Sequence, residues 1–181
     1  GTGLVATTEQ CLLNPNRNPE LSRSRIEAVL KAHLGVTTII WLDEGVFNDE
    51  TDGHADNLVR FVAPGRVVLT WTDDPDDPQH AISQGVFERL SKARDARGRA
   101  LEIIKVHQPG PLYMTEAEAK GIDVVEGTEP RVAGLRLAAS YVNFYFCNGA
   151  LILPALDPGR DEAAANALRG ACPNQPAGPM G

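Results

Sequence analysis

Apolar and polar positions alternate along this chain in two periods, and the switches between them mark out an approximate repeat of hairpin, helix and strand. Leu4 to Thr8 and Gln10 to Leu13 read as extended segments. From Ser22 to Leu34 the period turns helical, with Ile26, Val29, Leu30 and Leu34 on one face and Gly35 as the stop. Thr37 to Leu42 reads as the strand that closes this first unit. The second unit starts with a strand from Asn57 to Val62, turns at Pro64-Gly65 and returns through Arg66 to Thr72. Its helix, from about Pro78 to Ala96, sets Ile82, Val86, Phe87 and Leu90 at helical spacing, and Leu101 to His107 closes it. A third hairpin is predicted from Leu135 to Phe146 and Leu151 to Pro154 around Asn148-Gly149, followed by a helix from Arg160 to Arg169. The proline-rich stretch after Cys172 cannot supply a central strand, because prolines remove ladder donors, so this unit is expected to lack its closing strand. Between Gln108 and Gly134 no period is clear, and a connection of that length is a lid or a disordered stretch.

The densest chemistry sits before the second hairpin, in Asp49-Glu50-Thr51-Asp52-Gly53-His54-Ala55-Asp56-Asn57. If the strand that follows already includes His54 and Asp56, alternation points both side chains to one face of the sheet. Imidazole titrates near neutral pH, and a neighbouring carboxylate fixes its tautomer, which is what a general acid/base needs. Glu50 precedes His54 by four residues and could bring a second carboxylate. Spacing alone leaves three readings open: catalysis, a structural hydrogen-bonded pair, or a metal site built on Glu50, His54 and Asp56.

Resemblance separates them. The segments Thr8-Glu9-Gln10-Cys11-Leu12-Leu13-Asn14-Pro15-Asn16-Arg17-Asn18-Pro19, Ile40-Trp41-Leu42, Gly53-His54-Ala55-Asp56-Asn57 and Ala138-Ala139-Ser140-Tyr141-Val142-Asn143-Phe144-Tyr145-Phe146 resemble the agmatine deiminases in order and spacing, over nearly the whole chain. That family belongs to the guanidino-group-modifying, or pentein, superfamily, and the bacterial peptidylarginine deiminases are close relatives. The resemblance implies an α/β fold: a partial αβ-propeller of ββαβ-type units, with residues 1–181 forming about three of five. It further implies that the chain is truncated at both ends, since the family's attacking cysteine and a further guanidinium-binding aspartate fall outside it. His54 matches the family's general acid/base, Asp56 a carboxylate gripping the guanidinium nitrogens, and Glu50 a substrate-side carboxylate.

The activity so implied is hydrolysis of agmatine to N-carbamoylputrescine and ammonia, through a cysteine thiolate, with no cofactor and no metal. Deimination of arginine or peptidylarginine is the alternative, and an inactive guanidino-binding fragment is the third; the 181 residues alone are expected to be inactive. The family also implies a cytoplasmic enzyme of polyamine biosynthesis, open to homo-oligomerisation.

Composition narrows the partners. A net charge of −7 on 181 residues argues against nucleic acid and suits a cationic ligand. No apolar run reaches the roughly 20 residues of a membrane helix. Cys11, Cys147 and Cys172 show no metal-ligand or redox spacing, and an odd, sparse count suits a reducing compartment. Cys11 and Cys147 lie in apolar runs as small hydrophobes, and Cys172 has no basic neighbour to activate it, so none is a convincing nucleophile. Asp73, Asp74, Asp76 and Asp77 read as a solvated acidic loop feeding a helix N-terminus, whose dipole favours them. His33, His80 and His107 read as structural or solvated, and Arg60 and Asn143 as hydrogen-bonded within the sheet. Glu126-Gly127 and Arg131 resemble loop positions that precede the family's Ala-Ala-Ser-Tyr strand.

Overall fold

The computed structural model describes residues 3–123, 131–172 and 177–179. Glu126 and Gly127 lie outside the described residues.

The second unit shows how sequence becomes architecture. Strand β3 (Val59–Ala63) turns at Pro64 and Gly65, where a φ of 76° needs the missing Cβ, and pairs antiparallel with β4 (Arg66–Trp71). Helix α3 (Pro78–Lys92) then carries the chain back to β5 (Glu102–His107), parallel to β4. Because β4 lies between its neighbours, its unbroken run Val67 to Trp71 is buried throughout.

The third unit repeats the plan: β6 (Tyr145–Cys147) pairs antiparallel with β7 (Ala150–Leu153), α5 (Asp161–Ala171) crosses over, and β8 (Ala177–Pro179) lies parallel to β7. This corrects the expectation of a missing closing strand. β8 is an edge strand of three residues, and at an edge a proline leaves no central ladder bond unmade. The first unit supplies the parallel pair β1 (Gly3–Thr8) and β2 (Val36–Leu42), connected through α1 (Glu9–Leu12) and α2 (Arg23–Leu34). The chain is thus a mixed α/β protein of repeated strand–helix–strand units.

Other differences have local causes. Gln10 to Leu13 is helical rather than extended, because the Thr8 hydroxyl caps the turn by accepting from the Cys11 amide at 3.1 Å. In α2, capped by Ser22 and closed by left-handed Gly35, only Ile26 is buried; Val29 and Leu34 are 41% and 59% exposed, so the expected apolar face is mostly uncovered. The predicted strand from Leu135 shortens to β6, because Leu135 and Leu137 exchange backbone hydrogen bonds with Leu112 and Met114 instead. Within the segment expected to lack structure, Thr115 and Glu118 form a reciprocal capping box that starts the short helix α4 (Glu116–Lys120).

Two apolar clusters join the units. One gathers Leu42, Leu58, Leu69, Trp71 and Leu90 between the first and second; the other gathers Val68, Val106, Tyr141, Leu151 and Leu168 between the second and third. No helix among the described residues is long and apolar enough to cross a membrane.

Candidate functional site

The loop from Asp43 to Asn57 connects β2 to the second unit, and its shape is set by polar contacts. Gly53 lies at φ 65°, and a Cβ there would collide with the Gln10 amide. The buried Thr8 hydroxyl donates to the Gly53 carbonyl at 2.5 Å, and Gln10 Oε1 accepts from the Gly45 amide at 3.1 Å. Among the described residues, Asn48 and Asp52, at φ 61° and 69°, are the non-glycine residues in the left-handed region. The short polar side chains of these two types tolerate that region best.

Asp49 organises the centre. Only 8% exposed, its carboxylate accepts from the Thr51 amide at 2.9 Å, the Thr51 hydroxyl at 2.5 Å and the His54 amide at 3.0 Å. Three donors stabilise the charge in the low-dielectric setting that would otherwise oppose it. The consequence is a fixed starting point for His54. Asp49 stands in the acidic run with no role assigned to it from sequence; the Asp-x-Thr spacing of an Asx turn is the local signal for one.

His54 and Asp56 do not stand on a strand. His54, half-buried, caps a single 3-10 turn over Ala55–Asn57, and β3 begins only at Val59. Period-two alternation therefore does not relate the two side chains, because the backbone coils where the sheet pattern was extrapolated. Each has its own partner. His54 Nε2 lies 2.7 Å from Arg17 Nη2, and since a guanidinium only donates, Nε2 is the acceptor. Asp56 is exposed, and its Oδ2 receives Asn143 Nδ2 at 3.5 Å; the same amide donates to Asn57 Oδ1 at 3.2 Å.

Asn143 is exposed rather than buried in the sheet, which corrects its predicted setting. The Ala-Ala-Ser-Tyr segment presents it. Ser140 Oγ shares a 2.8 Å hydrogen bond with Thr70 and accepts from the Val142 amide at 3.0 Å, while buried Tyr141 donates to Asp161 Oδ1 at 2.6 Å. Burial, together with that carboxylate, pushes the Tyr141 phenol far above its ordinary range, so it stays a donor. Arg60 instead stacks on Phe144, its guanidinium carbon 4.7 Å from the ring centroid.

Glu50 faces another way. It pairs with Arg131 at 3.0 Å and lines a cavity of about 400 Å³ with Gln10, Asn48, Asp49 and Leu135. Asp49 lines the cavity as well and accepts from the His54 amide. Glu50, His54 and Asp56 thus meet three different partners, and among the described residues no group of three or more His, Cys, Asp or Glu side chains is placed to hold a metal ion.

The cysteines and remaining acids fall outside this chemistry. Burial pushes the Cys11 thiol up, with Asp52, Asp49 and Asp56 adding to the effect against the pull of Arg17; burial does the same for Cys172. Asp77, predicted as solvated, is half-buried with its side chain only 7% exposed: it caps α3 and takes a two-pronged ion pair from Arg136 at 3.0 and 2.8 Å. His107 pairs with Asp73 at 2.8 Å, and His80 Nδ1 lies 3.1 Å from the Thr72 carbonyl.

Set beside known proteins, residues 1–177 match the model of the Porphyromonas-type peptidyl-arginine deiminase family. The chain is 52% identical over 169 residues to the agmatine deiminase of Pseudomonas fluorescens, covering 93% of this chain and 46% of that protein. It is 54% identical over 170 residues to the agmatine deiminase of Medicago truncatula, with the same 93% and 46% coverage. Among solved structures, the agmatine deiminase of Enterococcus faecalis superposes with a TM-score of 0.89 at 37% identity, covering 99% of this chain and 49% of that one. A substrate-bound agmatine deiminase of C. jejuni gives 0.76 at 32% identity, over 97% and 46%. The chain spans about half the length of the relatives it matches.

Proposed function

The chain belongs to the Porphyromonas-type peptidyl-arginine deiminase family, and from that membership we propose that it carries the acid/base half of an agmatine deiminase active site. The parent enzyme is a hydrolase of amidine C–N bonds, converting agmatine to N-carbamoylputrescine and ammonia. In this reading residues 1–181 are about three of the five units of an αβ-propeller, and the remaining units come from the longer protein whose relatives are about twice this length.

The observation that carries the reading is the acceptor-rich edge of the His54 loop, which already holds a guanidinium, that of Arg17. A guanidinium is planar, cationic and rich in donors, so carbonyl, carboxylate and neutral imidazole acceptors suit it. Asp56, exposed and steadied by Asn143, grips the substrate nitrogens; Glu50, on the cavity wall, faces the rest of the substrate. A thiolate attacks the guanidinium carbon, forming the C–S bond. His54 as imidazolium gives its proton to the departing nitrogen as the C–N bond breaks and ammonia leaves. The neutral ring then takes a proton from water, whose oxygen displaces the sulfur and releases the ureido product.

The thiolate is assigned to a cysteine supplied by the longer protein: burial pushes the Cys11 and Cys172 thiols up, and the Cys147 thiol donates to the Ala150 carbonyl within its own hairpin at 3.4 Å. These 181 residues alone are therefore inactive. The test is ammonia release by the full-length protein from agmatine, free arginine and an arginyl peptide. Agmatine is expected to be preferred by kcat/KM. Preference for arginine or the peptide would overturn the assignment.

A further inference from the structure

The ring nitrogen that acid/base chemistry needs is occupied in this structure. Arg17 reaches it from the Asn14-Pro15-Asn16-Arg17-Asn18 turn, 37 residues away in sequence. Its Nη2 donates to His54 Nε2 at 2.7 Å and to the Thr51 carbonyl at 3.0 Å, and its Nε lies 3.7 Å from Asp52 Oδ2. The turn is itself built: Asn14 Oδ1 accepts from the Asn16 amide, and Asn18 Nδ2 donates to the Leu12 carbonyl. Asp52 sits in the left-handed region, with its carboxylate within ion-pair distance of Arg17. Three acceptors of three kinds thus converge on one guanidinium.

Counting donors and lone pairs shows what this contact means for the reaction. A guanidinium stays protonated and offers only donors, so the Nε2 lone pair is spent on Arg17 and the ring proton of neutral His54 sits on Nδ1. An imidazolium would set two donors face to face and break the bond. A neutral ring acting as base needs the same lone pair free. Neither protonation state used in the proposed mechanism coexists with Arg17 in place.

We propose that Thr51 O, the Asp52 carboxylate and His54 Nε2 form a guanidinium seat, that Arg17 is its internal occupant, and that an incoming guanidinium displaces it. The role of the seat in turnover rests on the deiminase reading; the seat itself does not. Arg17 acts as a competing ligand for the imidazole, and its departure hands the Nε2 acceptor from the internal guanidinium to the incoming one.

The test uses the 181-residue chain labelled with 15N-histidine, and methylguanidine as probe, with methylammonium as the control that has charge but no planar fork. In the wild-type chain, two-bond 1H–15N spectra are expected to show Nε2 of His54 as the unprotonated nitrogen, and methylguanidine, but not methylammonium, to shift it. Arg17→Met should lower the apparent Kd for methylguanidine at least about tenfold, since it removes a competitor that leaves only a small fraction of seats empty. Asp52→Asn should raise that Kd in either background. The signals of His33, His80 and His107 report whether each variant keeps its fold. A wild-type His54 bearing its proton on Nε2 overturns the proposal without any variant; so does an unchanged Kd in folded Arg17→Met. Because the readout is binding, a full-length enzyme that prefers arginine would reject the agmatine reading and leave the seat standing.

Discussion

The sheet of the second unit and the loop that precedes it are joined at Leu58, yet they are held by opposite means. In the sheet, Val67, Val68 and Leu69 are fully buried on a central strand, and apolar area removed from water supplies the stability. In the loop, Asp49, Thr8, Gln10 and Gly53 impose a shape through polar contacts of fixed geometry. Dispersion and burial tolerate small shifts. Hydrogen bonds to a left-handed backbone do not, and this is how a loop comes to aim an imidazole at a defined point.

If that contrast is right, damage to the two regions should differ in kind. Leu69→Ala should have the largest effect on stability, about 3 kcal/mol from lost transfer energy and the cavity left behind. Urea unfolding checks it, and His54 should keep its chemical shift below the transition. Asp49→Ala should cost less, about 2 kcal/mol for the donors it strands, yet move the His54 resonance and abolish its contact with Arg17. A large stability loss with an undisturbed His54 would contradict the division.

A smaller, graded effect is expected from pH. Burial opposes the charge on Asp77, but the Arg136 fork, the Gln79 amide and the Gln108 side chain together hold its carboxyl below the ordinary range. A group depressed on folding contributes stability that is fully present above the unfolded value, about 3.9, and is lost as pH falls through the lower folded value. Thermal melts from pH 6 downward should therefore show an acid limb that Asp77→Asn flattens; an unchanged limb would show that the ion pair contributes nothing there. The smallest effect belongs to Leu34→Gln. With that residue 59% exposed on α2, stability should stay within about 0.5 kcal/mol, and a larger loss would mean that this face is covered in solution.

Local signals were readable wherever neighbours in sequence do the work. Ser22 and Gly35 bound α2 as their types predict, and Pro64-Gly65 turns the hairpin. Thr115-x-x-Glu118 was an equally local signal, passed over because α4 has only five residues and so shows no periodicity. Misreadings gathered where the partner is remote. Asn143 was set inside a strand because its apolar neighbours alternate, whereas the chain around it is bound by Ser140 to Thr70, 70 residues away. Asp77 read as solvated because Arg136, its partner, is 59 positions distant.

From its residues alone this chain declared a repeating α/β plan and an acidic loop around His54, with Asp56 and Glu50 as candidates beside it. Packing settled matters that no local pattern could: that His54 and Asp56 leave a 3-10 turn with separate partners, that Glu50 turns to Arg131, and that Arg17 rests on the imidazole. The division has one cause. Periodicity and caps are properties of adjacent residues, whereas the direction of a loop side chain depends on which distant donors and acceptors the finished fold brings within hydrogen-bonding reach.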